Sequence, residues 1–180
     1  MSSVALAGCG GGGSGTDLRP GTTVEGFEFT GESEVAEGEA IDTRFTCDGE
    51  NVSPALAWTG APDGAKQLAL VLEDPDAPGG TFTHWLLYGI DPLAPGLREG
   101  LSGWTGYGPG TGGEGKNDFG DIGYGGPCPP SGEKHHYVFR LLALHNAVDL
   151  EQGVDRGAFD EAVTPHLLAE AWLRATYARP

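Results

Sequence analysis

Two apolar runs, residues 68–72 and 85–90, are separated only by Glu73-Asp74-Pro75-Asp76-Ala77-Pro78 and a short Gly-Gly-containing loop. Runs this short, bounded by proline and glycine, read as two neighbouring strands joined by a rigid turn. The first strand ends in two carboxylates, Asp74 and Asp76, and the second opens on an imidazole, His84. A strand pair that brings these groups to one rim has the makings of a binding-site wall, and the remaining sequence supports or tests that rim.

At 180 residues the chain accommodates one domain plus a tail. Its 32 glycines and 13 prolines exclude a helical bundle and indicate a turn-rich β protein. The formal net charge of −16, with only 10 Lys and Arg, excludes a nucleic-acid binder, because phosphate backbones are held by clustered cations. A small anion could still be bound by donors gathered in one pocket. The three cysteines, Cys9, Cys47 and Cys128, form no CxxC pair, so no structural metal site is expected. Leu6-Ala7-Gly8-Cys9 is similar to the lipobox of bacterial lipoproteins, which makes Cys9 a candidate for lipidation and the following Gly/Ser run a flexible tether. Eight residues precede Cys9 and none is basic, so the signal peptide is read as truncated. Residues 1–24 are then leader and tether, and residues 25–180 the domain. Such a protein is extracytoplasmic and anchored to the cell membrane if Cys9 is a lipobox cysteine, and cytoplasmic otherwise. No other segment approaches the roughly 20 apolar residues of a membrane span.

Strand patterning is expected at residues 27–29, 40–45, 55–58 and 136–144, with a turn cluster at residues 46–51. Residues 102–126 form a long glycine-dominated segment, a length usually reserved for functional loops. Asp155 can cap a helix running to Val163. Thr164-Pro165 then reads as the start of a second helix, with Leu167, Leu168, Ala171, Trp172 and Ala175 along one face.

Four separated pieces could carry chemistry. In a strand, His135 and Tyr137 share a face while His136 points the other way, so an imidazole and a phenol stand side by side as donors. The alternative is a strand-end pair satisfied by local backbone. Asp74 and Asp76 could stabilise an imidazolium at His84 and make it a charge-assisted donor, or the Asp-Pro-Asp stretch could simply be a turn. Gly126-Pro127 offers a residue without Cβ where backbone could approach a small ligand, or only another turn. No P-loop or dinucleotide fingerprint is present.

Taken together, Asp74-Pro75-Asp76-Ala77-Pro78, His84-Trp85, Gly126-Pro127-Cys128-Pro129-Pro130 and His135-His136-Tyr137 resemble the phosphatidylethanolamine-binding protein family, and within it the bacterial Raf kinase inhibitor-like branch. The resemblance implies a mainly β fold: an antiparallel β-sandwich, a large sheet packed on a smaller one, with two C-terminal helices. It implies a small pocket for phosphate-like anions or phospholipid head groups, using Asp74, Asp76, Pro78, His84, Gly126, Pro127, His135 and Tyr137, with a cis Ala77–Pro78 bond. Cys47 and Cys128 would meet near this pocket and, in an exported chain, could form a disulfide. The expected function is non-enzymatic binding of a small anionic or phosphoryl ligand, with no catalytic residue, metal or cofactor. The alternatives are an inhibitor acting on a kinase or peptidase, and, more remotely, a metal-dependent hydrolase. Contact with a membrane is expected only through an N-terminal lipid anchor.

Overall fold

The computed structural model describes residues 22–101, 103, 104, 106 and 112–180. Cys9 and the tether lie outside them, as does part of the glycine-rich segment. The described residues form eight strands and one α-helix: β1 (Glu28–Phe29), β2 (Leu56–Thr59), β3 (Gln67–Asp74), β4 (Phe82–Ile90), β5 (Gly96–Leu97), β6 (Gly113–Glu114), β7 (Lys134–Leu144), α1 (Arg156–Val163) and β8 (Leu167–Ala178). They build a three-stranded sheet in the order β1-β2-β5 and a five-stranded sheet in the order β6-β4-β3-β7-β8. Every ladder is antiparallel. The mainly β, two-sheet architecture expected from the sequence is the observed one.

The unbroken apolar character of β3 and β4 follows from burial on both faces. Leu68, Leu70 and Leu72, with Trp85, Leu87, Phe139 and Leu141, pack toward Leu56, Trp58 and Leu97 of the small sheet. Ala69, Val71, Leu86, Tyr88, Leu142 and Leu144 face the other way, where Phe159 and Val163 of α1 cover them. As expected, Asp155 caps that helix: its Oδ1 accepts the Ala158 N–H at 2.9 Å.

Two expected elements are corrected. The residues read as a second C-terminal helix form β8, a 12-residue strand paired with β7 along its length. The segment satisfies two periodicities at once. Leu167, Leu168, Ala171, Trp172 and Ala175 match a helical stripe, whereas Ala169, Ala171, Leu173, Ala175 and Tyr177 alternate and all enter the sandwich core. An available partner strand decides between them, since local propensity is weaker than tertiary pairing. Residues 40–45 are likewise not a strand: Ala40 makes one isolated bridge to Thr176, and Thr43–Phe45 is a 3₁₀ turn capped by Asp42.

Candidate functional site

The β3–β4 ladder carries the irregularity that builds the site. Leu72 faces Trp85 and Glu73 faces Thr83, so His84 is an extra residue on β4, a β-bulge. Regular alternation would send His84 to the opposite face from Trp85. The bulge instead turns His84 to the side occupied by Tyr137, whose ring lies 5.3 Å away at 81°. Asp74 on β3 and His135 on β7 fall on this same side by simple alternation from Leu72 and Tyr137. Three strand ends thus deliver Asp74, His84 and His135 to one end of the sandwich.

There they border a cavity of about 300 Å³, whose lining also includes Ala77, Pro78, Phe82, Phe119, Cys128, Pro129, Pro130 and Arg179. Phe82 and Phe119 stack on each other and on His84, with centroids 4.7–5.3 Å apart. Phe119 is half exposed and gives the cavity an apolar lip.

The carboxylates do not hold His84, contrary to the sequence expectation. Asp74 Oδ2 pairs with His135 Nδ1 at 2.7 Å, both groups being buried. Asp76 Oδ2 pairs with His136 Nδ1 at 2.6 Å and accepts the His136 backbone N–H at 2.8 Å, on the exposed side of β7 and away from the cavity lining. Each carboxylate takes the histidine on its own face of the sheet, and β3 lies between β4 and β7. The hydrogen bond from His136, with its charge, holds the Asp76 carboxyl below the usual range despite some desolvation. For His135, burial pulls the imidazole pKa down, but hydrogen bonds to Asp74 and Glu133 and their charges outweigh it, so the net shift is upward.

His84 is 2% exposed and its Nδ1–H donates to the Gly125 carbonyl at 2.7 Å. Burial lowers its pKa, while the carbonyls of Gly125 and Gly126 and the charges of Asp74 and Asp118 only partly compensate. The resting ring is therefore neutral near pH 7, with its proton on Nδ1 and Nε2 left as an acceptor. This too departs from the expectation of an imidazolium kept charged by neighbouring acids.

Gly126 and Pro127 are buried behind the wall rather than on it. A Cβ at Gly126 would meet the Phe45 carbonyl oxygen at 2.3 Å and Thr46 Cα at 2.9 Å, so the missing side chain admits the chain's own residues 45–46, not a ligand. The Gly126 N–H, expected to face an anion, donates to Asn51 Oδ1 at 2.8 Å. The Pro127 carbonyl accepts the Cys47 N–H at 3.1 Å. Cys47 and Cys128 are joined as a disulfide with Cα atoms 5.4 Å apart, as the resemblance implied. Tyr137 is fully buried beneath the cavity; its hydroxyl, beside Asp74, makes no hydrogen bond of normal geometry, and burial raises its pKa. Pro78 lines the cavity through a trans peptide bond, since no cis bond occurs among the described residues. The turn there is closed by the Gly80 N–H donating to the Ala77 carbonyl at 3.0 Å.

Arg179 was not anticipated. It lies one alternation beyond Tyr177, which faces His135 across the β7–β8 ladder. Read as a strand, residues 167–178 would have pointed to it; read as a helix, they concealed it. Among the described residues, no three His, Cys, Asp or Glu side chains are grouped to hold a metal ion.

A two-sheet sandwich with a small cavity at one end, largely apolar in its walls and backed by a His–Asp pair, defines the class of protein to which comparison then points. The family model described as phosphatidylethanolamine-binding protein matches residues 31–178. A UPF0098 protein of Methanothermobacter thermautotrophicus is 48% identical over 139 residues, covering 77% of this chain and 91% of the relative. A Mycobacterium tuberculosis protein named "Putative lipoprotein LppC" is 38% identical over 188 residues, covering 97% of this chain and 90% of its own. The crystal structure of Escherichia coli YbcL, described as a member of the mammalian PEBP family, superposes with a TM-score of 0.77 at 31% identity, covering 86% of this chain and 99% of YbcL. A Chlamydia trachomatis homologue, CT736, gives 0.76 at 33% identity, with coverages of 87% and 100%. This chain belongs to the phosphatidylethanolamine-binding protein family.

Proposed function

We propose that this protein is a non-enzymatic binding protein whose cavity takes a phosphate-like anion, free or as a phospholipid head group. The observation that carries the reading is the gathering of basic side chains at one place. In a chain with 26 acidic and 10 basic residues, one cavity brings together His84, His135 and Arg179. Each is held in place: His84 Nδ1 on the Gly125 carbonyl, Arg179 Nε on Asp48, and His135 at both nitrogens, Nδ1 on Asp74 and Nε2 on the half-exposed Glu133 at 3.3 Å. Groups oriented in this way meet a ligand without losing further rotamer freedom. The apolar lip of Phe82 and Phe119 suits the organic part of a phosphoester.

Neutral His84 accepts at Nε2, so an entering oxyanion recruits a proton to it and converts it to a charge-assisted donor. Sulfate, which does not titrate near neutrality, tests this. Because burial places the His84 pKa below 6.5, sulfate affinity is expected to rise as pH falls from 8 to 6, approaching about tenfold per pH unit while one proton is taken up. His84→Ala is expected to weaken sulfate and phosphorylethanolamine binding by about tenfold or more at pH 6 and to flatten the slope. Calorimetric titration reads both quantities. Equal binding by wild type and variant would remove the site.

We further infer that Cys9 carries a lipid and residues 10–24 tether the domain to a membrane, supported by the resemblance to a lipoprotein named as such over nearly the whole chain. Expressed from its chromosomal locus, the protein should take up an alkyne fatty acid, and Cys9→Ser should not. Labelling of both would refute the assignment.

A further inference from the structure

The cavity's one permanently charged group sits at the C-terminal end of β8, where no sequence motif placed it. The backbone of Arg179 is clamped on both sides: its N–H donates to the Glu133 carbonyl at 3.0 Å, and its carbonyl accepts the Gly132 N–H at 3.0 Å. These bonds carry the β7–β8 pairing past the end of the ladder and fix where the side chain departs. Its Nε donates to Asp48 Oδ1 at 3.1 Å, and one terminal nitrogen approaches the Pro129 carbonyl at 3.5 Å. The other terminal nitrogen makes no hydrogen bond among the described residues, and the residue lines the cavity together with His84 and His135. Asp48 is itself held from both sides, since its Oδ2 accepts the Tyr177 hydroxyl at 2.8 Å. Asp48 follows Cys47 directly, so the covalent link to Cys128 ties the turn that carries it to the opposite wall of the cavity.

We propose that Arg179 is the residue that directly grips the ligand's oxyanion, and that Asp48 positions it by holding Nε so that the free edge of the guanidinium faces the cavity. This rests on the reading of the cavity as an oxyanion site and adds to it which residue provides fixed charge and what chemistry it selects. A guanidinium anchored through Nε presents its remaining N–H groups as a planar fork, which fits two oxygens of one phosphoryl group; a lysine ammonium would be a point charge without the anchor. A terminal phosphoryl group has three free oxygens and roughly two negative charges, so two oxygens can take the fork while the third reaches His84. A carboxylate or a diester, with two free oxygens and a single charge, fills the fork alone, so the ligand class selected is the terminal phosphoryl group.

The test titrates inorganic phosphate, O-phosphorylethanolamine and acetate into the folded, disulfide-intact protein at one pH, using wild type, Arg179→Gln, Arg179→Lys, Asp48→Asn, the Arg179→Gln/Asp48→Asn double variant and His84→Ala. Urea melts check that each variant is folded. The expected loss for Arg179→Gln is about tenfold to a hundredfold for both phosphoryl probes, the range of a charge-assisted bond, with acetate weak throughout. Arg179→Lys is expected to recover only part of this. Asp48→Asn is expected to cost severalfold in the wild-type background and nothing further in the Arg179→Gln background, a dependence that a general structural role would not produce. If His84→Ala loses binding while Arg179→Gln keeps it, this inference falls and the oxyanion site stands. If wild type binds neither phosphoryl probe, both fall. An Asp48→Asn loss that persists without Arg179 overturns the positioning role, and acetate bound as tightly as phosphate overturns the phosphoryl preference.

Discussion

Replacement of Cys47 and Cys128 by alanine together is expected to lower the free energy of unfolding by about 4 kcal/mol. The bridge closes a loop across a sequence separation of 81 residues, and in the chain-entropy description a cross-link of that span removes roughly 4.5 kcal/mol worth of freedom from the unfolded chain. The loop contains β2, β3, β4, β5 and β6, so strands of both sheets lie inside it. Three further contacts hold the same junction without the sulfur atoms: Asn51 Oδ1 on the Gly126 N–H, the Tyr124 hydroxyl on the Phe45 carbonyl at 2.6 Å, and the Cys47 N–H on the Pro127 carbonyl. Native geometry should therefore survive the substitution, leaving the loss mainly to the unfolded state. Urea unfolding of the two proteins measures it. A difference under about 1 kcal/mol would mean that residual structure already constrains the unfolded chain.

Arg140→Leu should cost about 3 kcal/mol, because it strands a buried carboxylate. Arg140, on the face of β7 away from the sandwich core, donates to both oxygens of Glu170 at 3.0 and 3.2 Å, and Glu170 is 1% exposed. Its guanidinium also lies 3.6 Å from Glu73 and 4.8 Å from the centroid of Trp172. Removing the cation leaves Glu170 desolvated and unpaired. The double variant Arg140→Leu/Glu170→Leu should regain most of the loss, since replacing both ions with apolar groups of similar volume is close to neutral. Denaturation free energies of the two single variants and the double variant close the cycle. An Arg140→Leu protein within about 0.5 kcal/mol of wild type would show that Glu170 is relieved by water or by protonation.

The two predictions concern different parts of the molecule, and only the first touches the cavity. Cys128 lines it and Cys47 precedes Asp48, so stability and ligand geometry share the junction between residues 43–51 and 123–130. The Arg140 network lies on the opposite face of β7 from His135 and Tyr137. Its loss should leave ligand affinity unchanged in molecules that remain folded.

The parts of the fold legible in the sequence are those where one pattern had one reading. Residues 68–90 could only be apolar strands joined by a stiff acidic turn. Asp155 could cap a helix because nothing nearby competed for its oxygen. Alternation from Tyr137 sufficed to separate His135 from His136. Where two patterns overlapped, the reading failed. The alanines of β8 serve a helix and a strand equally well, and the cost of that ambiguity was Arg179, whose position follows from strand alternation alone.

What the sequence by itself determined, then, is the mainly β class and the set of side chains from which a pocket could be made. Tertiary structure alone decided how that set was divided. A one-residue bulge turned His84 into the cavity, and the order of β4, β3 and β7 gave Asp74 to His135 rather than to His84. Asn51 Oδ1 consumed the Gly126 N–H, and residues 45–46 filled the space beside its Cα. These outcomes depend on register, burial and who lies next to whom across a sheet. Hydrogen bonds and desolvation act over a few ångströms in space, and separation along the chain carries no information about that distance until the strands have paired.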